Sequence, residues 1–315
     1  MASPISPPTW SRSRKRWPPS AAFRTTSSSG SWRRTRLGRS NGEHGRQETR
    51  PPPESQTRRR PVVRFGQNFL ADTNLLDAIA RDADLDPRDV ALEVGGGEGA
   101  LSDRVAPRVA HLHVIEFDRR LAGELGAICA RHPNLSVVWG DAMRVDLESL
   151  QPAPTVVVSN LPYSIATPVL LRTVAELPEV AAWTVMVQRE IADRLRARQG
   201  SRTYGAPSVL VQLACDVELV RTVNRAVFRP RPRVDSALLR LTRRAPAPPP
   251  AVARLVRAAF AHRRKPIAGS LELAGGPSRS AVRAALGDLG LDEGARAEAL
   301  SPADFVLVAE RLGIH

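Results

Sequence analysis

Asn160-Leu161-Pro162-Tyr163 sets a carboxamide, a rigid turn and an aromatic ring side by side, directly after a short apolar run. An exocyclic amine on a nucleobase is a poor nucleophile, because its lone pair is delocalised into the ring. Acceptors on both of its N–H groups can hold the nitrogen and aim that lone pair at an electrophile. The Asn160 side-chain oxygen and the Leu161 carbonyl suit that task. Pro162 cannot donate and fixes the local backbone. Tyr163 offers a face on which an unstacked base can lie, a contact worth about 1–3 kcal/mol. Three upstream signals could bind the rest of a nucleoside ligand. Glu93-Val94-Gly95-Gly96-Gly97-Glu98-Gly99 gives glycines that let a ligand approach the backbone at a helix start. Glu116 could accept both ribose hydroxyl protons, and Asp141 could accept from an adenine amino group. Plainer roles compete. The glycines could form a simple strand-to-helix turn, and Asp141 an Asx turn. Asp118 reads as a helix N-cap. The spacing of Gly95, Gly97 and Ala100, with Glu116 following, also fits a dinucleotide site.

These residues need strands to position them. Apolar runs at Val90–Val94, His111–Glu116, Ser136–Trp139, Thr155–Ser159 and Trp183–Val187 read as strands. Helical patterns separate them at Thr73–Ala83, Leu101–Val109, Arg119–Arg131, Pro168–Glu176 and Arg189–Arg198. Val209–Val223 and Ser236–Leu241 read as two more strands, antiparallel neighbours at the sheet edge. Short strands alternating with helices predict an α/β fold, a mostly parallel sheet covered on both faces. Gly95, Glu116, Asp141 and Asn160 then fall at four successive strand ends, where such sheets bind ligands. After the Pro/Ala linker at Ala245–Pro250 only helical patterns remain. The expected division is an extension over 1–60, a sheet domain over 61–245 and a small helical domain over 246–315.

The net charge of +14 is uneven. Residues 1–60 hold 14 Lys/Arg against 3 Asp/Glu, and residues 221–265 hold 13 against 1. Residues 61–220 are acidic, with 15 against 21. A basic stretch inside the folded part is the footprint of a nucleic-acid contact. Arg229, Arg231, Arg233, Arg263, Arg264 and Lys265 are its candidate phosphate contacts; a solvated basic surface is the plainer reading. Residues 1–60, rich in Arg, Ser, Pro and Gly, read as disordered. They suit a dispensable or spuriously translated extension, or an organellar transit segment. No apolar run approaches a membrane span. Cys129 and Cys215 lie far apart and offer neither a disulfide framework nor metal-site spacing, so no metal is expected.

Taken together, the motifs resemble the small-subunit ribosomal RNA adenine N6-dimethyltransferase family over about residues 62–315. The resemblance rests on Phe65 to Leu70, Glu93 to Gly99, Val114 to Asp118, Gly140 to Met143 and Asn160 to Tyr163. It continues through Tyr204 to Ser208, Phe228 to Ser236 and Phe260 to Lys265. It implies a Rossmann-like class I methyltransferase sheet with a small C-terminal helical domain. It also implies S-adenosylmethionine as cofactor, lined by Asn68, Leu70, Gly95 and Gly97. By the same resemblance Glu116 would hold the ribose and Asp141 the cofactor adenine. Asn160 would touch both cofactor and target amine, and Tyr163 would stack on the target adenine. The implied substrate is small-subunit rRNA in a pre-30S particle, dimethylated at two adjacent adenosines near its 3′ end by a cytoplasmic monomer.

Two departures are visible. The family loop usually reads Gly-Pro-Gly, and here it is Gly95-Gly96-Gly97, which implies weaker cofactor affinity at most. Pro266-Ile267-Ala268-Gly269-Ser270-Leu271 replaces the usual run after Arg263-Arg264-Lys265, which bears on the rRNA contact of the helical domain. Three rivals stay open at this stage: a large-subunit rRNA methyltransferase conferring macrolide resistance, a non-catalytic ribosome-assembly factor, and a nicotinamide dehydrogenase.

Overall fold

The computed structural model describes residues 69–70 and 72–315. The expectations for residues 1–60 and for Asn68 lie outside these described residues. A two-residue strand β1 (Phe69–Leu70) precedes α1 (Thr73–Asp82), whose N-cap Asp72 accepts from the Leu75 amide at 3.1 Å. Next come β2 (Val90–Val94), the short α2 (Ser102–Val105), β3 (His111–Glu116), α3 (Ala122–Arg131) and β4 (Leu135–Trp139). The second half holds β5 (Val156–Asn160), α4 (Ala166–Glu176), β6 (Ala182–Gln188) and α5 (Arg189–Leu195). It continues with α6 (Ala206–Ala214), β7 (Cys215–Val223), β8 (Phe228–Arg229) and β9 (Ser236–Arg243). Four helices close the chain: α7 (Pro250–Ala261), α8 (Ile267–Leu273), α9 (Arg279–Asp288) and α10 (Pro302–Arg311).

Seven strands form one sheet in the order β4-β3-β2-β5-β6-β9-β7. The first five are parallel, and β9 runs antiparallel between β6 and β7. The chain works outward from β2 to β4, then returns to the other side of β2 at β5. That reversal opens a crevice at the carboxyl ends of β2 and β5. The pleat sorts the core onto two faces. Leu92, Val94, Val157, Val185 and Val187 join one buried cluster with α4, α5 and α6. Ala91, Val156, Val158 and Met186 join the other, with α1 and the α2–α3 region. This is the Rossmann-like methyltransferase sheet that the resemblance implies.

The largest departure from expectation lies in the segment read as a strand over Val209–Val223. Val209–Ala214 is the end of α6, and the strand begins only at Cys215. The cause is burial on both sides. Val211 and Ala214 face the sheet cluster, while Val209 and Leu210 join a third cluster with α7, α8, α9 and α10. A helix covered on two sides loses its 3.6-residue polar period and reads like a strand. Its start is nonetheless marked by Pro207 and by Ser208 Oγ, which accepts from the Gly205 amide at 3.0 Å. Tyr204 stitches the helical part to this region. It donates to the Leu300 carbonyl at 3.0 Å and packs edge-on against Phe260. Pro107 divides the expected helix at Leu101–Val109 into α2 and a 3-10 turn.

Candidate active site

A cavity of about 320 Å³ lies at the crevice. Leu70, Gly95, Gly97, Glu116, Asp141, Asn160, Leu161, Pro162 and Tyr163 all line it, so the sheet gathers nine of the residues singled out in the sequence. The strand ends hold them. The Gly95 amide donates to the Ile115 carbonyl at 2.8 Å, and the Gly140 amide to the Glu116 carbonyl at 2.9 Å. Each loop is thereby tied to the neighbouring strand.

Two glycines are required by space and backbone together. Gly95 has φ +82°, and a Cβ there would sit 2.9 Å from Pro162 Cγ. Gly97 has φ +57°, and a Cβ there would meet the Phe69 ring at 3.1 Å. The glycine loop is thus pressed against the Asn160–Tyr163 turn on one side and capped by Phe69 on the other. Gly96 differs, because the space of its missing side chain is taken by Val114 Cγ1, 2.3 Å from an ideal Cβ.

Glu116 is 6 % exposed, and its carboxylate is pre-aimed. Oε2 accepts from the Gly97 amide at 2.9 Å and Oε1 from the Asp118 amide at 2.8 Å. Each oxygen keeps a second lone pair, which suits two adjacent hydroxyls. Asp118 caps the following turn as expected, accepting from the Arg120 amide at 3.1 Å and pairing with its guanidinium. Asp141 serves in an Asx turn while lining the cavity. Its Oδ1 accepts from the Met143 amide at 2.9 Å, and Oδ2 lies 3.8 Å from Arg144 Nε. The Asx turn that the sequence offered as the plainer role is present, and it leaves Asp141 on the cavity wall.

Asn160 ends β5 with its Oδ1 buried. The Leu161 amide donates to the Met186 carbonyl at 3.1 Å, and the Pro162 carbonyl accepts from Ile165 at 3.1 Å, leading into α4. Tyr163 is held at both ends. Its hydroxyl is 2.5 Å from Ser236 Oγ on β9, and its ring meets Phe228 edge-on at 6.4 Å. Burial pushes its phenol pKa up, opposed by the Ser236 hydrogen bond.

Sequence reasoning gave no individual role to Glu93, Phe117, Ser236 or Arg172. Glu93 lines the cavity and is 1 % exposed, and burial lifts its carboxyl to about 8 against the Ser102 hydrogen bond. Ser102 Oγ donates to it at 2.5 Å. Its place in Glu93-Val94-Gly95 was visible, but its burial was not. Phe117 is a large aromatic exposed on the cavity rim, signalled only by an apolar residue between two acids.

Arg229, Arg231, Arg233, Arg263, Arg264 and Lys265 are all exposed and lie outside the cavity lining. β1 pairs with β8, matching Phe69 to Arg229, so the Arg229–Arg233 run starts beside the ring that caps the glycine loop. Arg263 is already engaged, with Glu298 at 2.9 Å and the Arg202 carbonyl at 3.2 Å. Among the described residues no group of three or more His, Cys, Asp or Glu could hold a metal. No described helix is long and apolar enough to cross a membrane.

The family described as ribosomal RNA adenine dimethylase matches residues 59–313. The chain belongs to that family. It is 43 % identical over 261 residues to a ribosomal RNA small subunit methyltransferase A from Thermobifida fusca, covering 80 % of this chain and 90 % of that one. A Rubrobacter xylanophilus protein of the same name is 42 % identical over 255 residues, covering 80 % and 95 %. Among solved structures, a dimethyladenosine transferase from Plasmodium falciparum superposes with TM-score 0.67 at 26 % identity, over 78 % of this chain and 99 % of that one. The 23S rRNA methyltransferase ErmE superposes with TM-score 0.57 at 31 % identity, over 78 % and 100 %. Membership in the rRNA adenine dimethylase family makes the chain a methyltransferase and removes the dehydrogenase reading of the glycine loop.

Proposed function

We propose that this protein transfers methyl groups from S-adenosylmethionine to N6 of two adjacent adenosines near the 3′ end of small-subunit rRNA, giving dimethyladenosine on a pre-30S particle in the cytoplasm. The observation that carries the reading is the junction at Gly95 and Pro162. There the acceptors suited to a ribose and an adenine, Glu116 and Asp141, share one cavity with the Asn160–Tyr163 turn. The donor set fits the cofactor. A fixed carboxylate and an Asx-turn carboxylate stand at neighbouring strand ends, beside a glycine loop packed closely against Pro162 and Phe69.

Bound S-adenosylmethionine supplies an already activated methyl group, so no strong general base is needed. The protein's contribution is placement. Asn160 Oδ1 and the Leu161 carbonyl accept hydrogen bonds from the two N6–H groups of a flipped-out adenine and turn its lone pair toward the cofactor side, and the nitrogen, once methylated, loses one proton to water. Tyr163 stacks on the base. The second round requires the same turn to accept monomethyladenine, with one N–H left to bond. The exposed arginines of the Arg229–Arg233 run and Arg264 and Lys265 hold phosphates around the target. The helical part over 246–315 extends that contact.

Asn160→Ala should abolish transfer from labelled S-adenosylmethionine to 30S particles lacking the modification, while RNA binding stays within about twofold. Retained transfer by this variant would sink the assigned role. Transfer by the parent protein to free large-subunit rRNA but not to 30S particles would favour the activity named for ErmE, and transfer to neither would favour an assembly factor.

A further inference from the structure

Arg172 stands on α4, one helix away from the cofactor end of the cavity, and its side chain is only 15 % exposed. It reaches across to the loop that follows β4. Nη1 donates to the Ala142 carbonyl at 2.7 Å and Nη2 to the Val145 carbonyl at 2.6 Å. Its other edge is gripped by Glu176, one turn along the same helix, with Nε to Oε1 at 2.8 Å and Nη2 to Oε2 at 2.8 Å. A planar guanidinium clamped on both edges is a rigid spacer, because its fork allows little freedom once several donors are engaged.

The loop it holds is the one that carries Asp141. The Arg144 and Val145 amides both donate to the Asp141 carbonyl, at 2.7 and 2.9 Å. The loop is already tight, since a Cβ on Gly140 would lie 2.8 Å from Val145 Cγ2. Arg172 therefore bonds the carbonyl directly after Asp141 and the carbonyl of the residue that closes its turn. α4 itself begins three residues beyond Tyr163. One side chain thus fastens the loop at the adenine end of the cavity to the helix issuing from the turn at the methyl-accepting end.

We propose that Arg172 is a positioning residue that sets Asp141 for reading the cofactor's adenine amino group. The inference rests on the cofactor reading above and adds to it the device that holds the loop. It touches no ligand itself. Its effect must show as lost discrimination at the adenine 6-position, which a general loosening of the fold would not produce.

The test is calorimetric binding of S-adenosylhomocysteine and of S-inosylhomocysteine, in which a 6-oxo group replaces the 6-amino group, to the full chain. Arg172→Met keeps the length and apolar stem but removes every donor. Its affinity for S-adenosylhomocysteine should fall about tenfold, the scale of one lost hydrogen bond, with S-inosylhomocysteine nearly unchanged. Arg172→Lys retains one point donor and should lose about threefold, and it decides the matter if the Met variant does not fold. In turnover the KM for S-adenosylmethionine should rise while kcat at saturation holds. Equal weakening of both ligands, or unchanged discrimination in the folded Arg172 variants, overturns the proposal. Asp141→Ala separates its two parts. If that variant keeps discrimination, the adenine reading fails and the proposal with it. If it loses discrimination while the Arg172 variants keep theirs, only Arg172's part fails.

Discussion

The stacking role proposed for Tyr163 needs a ring held in one place. Its ring plane is fixed by the hydroxyl contact to Ser236 and the edge contact to Phe228. A stacking platform held in place spares the base the cost of ordering it. Ser236→Ala removes one anchor and leaves the ring, so kcat should drop about three- to tenfold, the range of one neutral hydrogen bond, with S-adenosylhomocysteine binding unchanged. Tyr163→Ala removes the platform and should cost about ten- to a hundredfold. Single-turnover methyl transfer checks both, and equal rates for Ser236→Ala and the parent would show that Phe228 alone holds the ring. Glu93 makes a second prediction at this scale. Burial lifts its folded-state pKa to about 8, well above the ordinary carboxylate range, so the fold favours the protonated form. Stability from this group is complete below the unfolded value and is lost as pH rises toward the folded one. Glu93→Gln stays neutral throughout, so its Tm should match the parent near pH 4.5 and exceed it above pH 8, by at least about 2–4 °C. A gap that stays constant across that range would mean Glu93 is ionised in the folded protein.

Elements carry what single residues cannot. The glycine loop works because β3 presents Val114 beneath Gly96, filling the space where the family's usual proline would begin. The triple glycine therefore leaves no hole at its centre, and the loop is matched to its own strand. Gly96→Pro alone should destabilise the protein by about 1–3 kcal/mol through overpacking, and Val114→Ala in the same chain should recover part of that loss. Denaturant unfolding of the two single variants and the double variant measures the coupling; additive losses would show that the two positions do not share the space. This pairing also marks where sequence reading stops. The five parallel strands and the four strand ends that line the cavity were legible because each of these strands is a short apolar run ending in a glycine or a polar residue. α6 was not, since covering both its sides erased the periodicity on which the reading depends. Ser236 and Arg172 were hidden for another reason: their partners lie 73 and about 30 residues away in sequence, so only the folded sheet brings them together.

At the scale of the whole molecule the charge pattern separates two tasks. The segment over residues 61–220 holds 21 acids against 15 bases and supplies most of the cavity, whereas residues 221–265 hold 13 bases against one acid. Under the proposed function, an acid-bounded cofactor site would repel a phosphate backbone, and the RNA would have to be drawn in from the side. β8 is the proposed side, because its pairing with β1 sets Arg229 beside the capping Phe69. If Arg229, Arg231 and Arg233 hold phosphates as proposed, binding through them releases counterions, and each phosphate contact contributes about 0.7–0.9 to the salt slope. Replacing all three by alanine should lower the slope of log affinity against log salt by about 2, with little change in S-adenosylhomocysteine binding. Arg263→Ala should change the slope less than Arg264→Ala, because Arg263 is already paired with Glu298 while Arg264 stands exposed beside it. Titrations at several salt concentrations decide this. An unchanged slope in the triple variant would move the RNA contact away from β8, to the helices beyond residue 250.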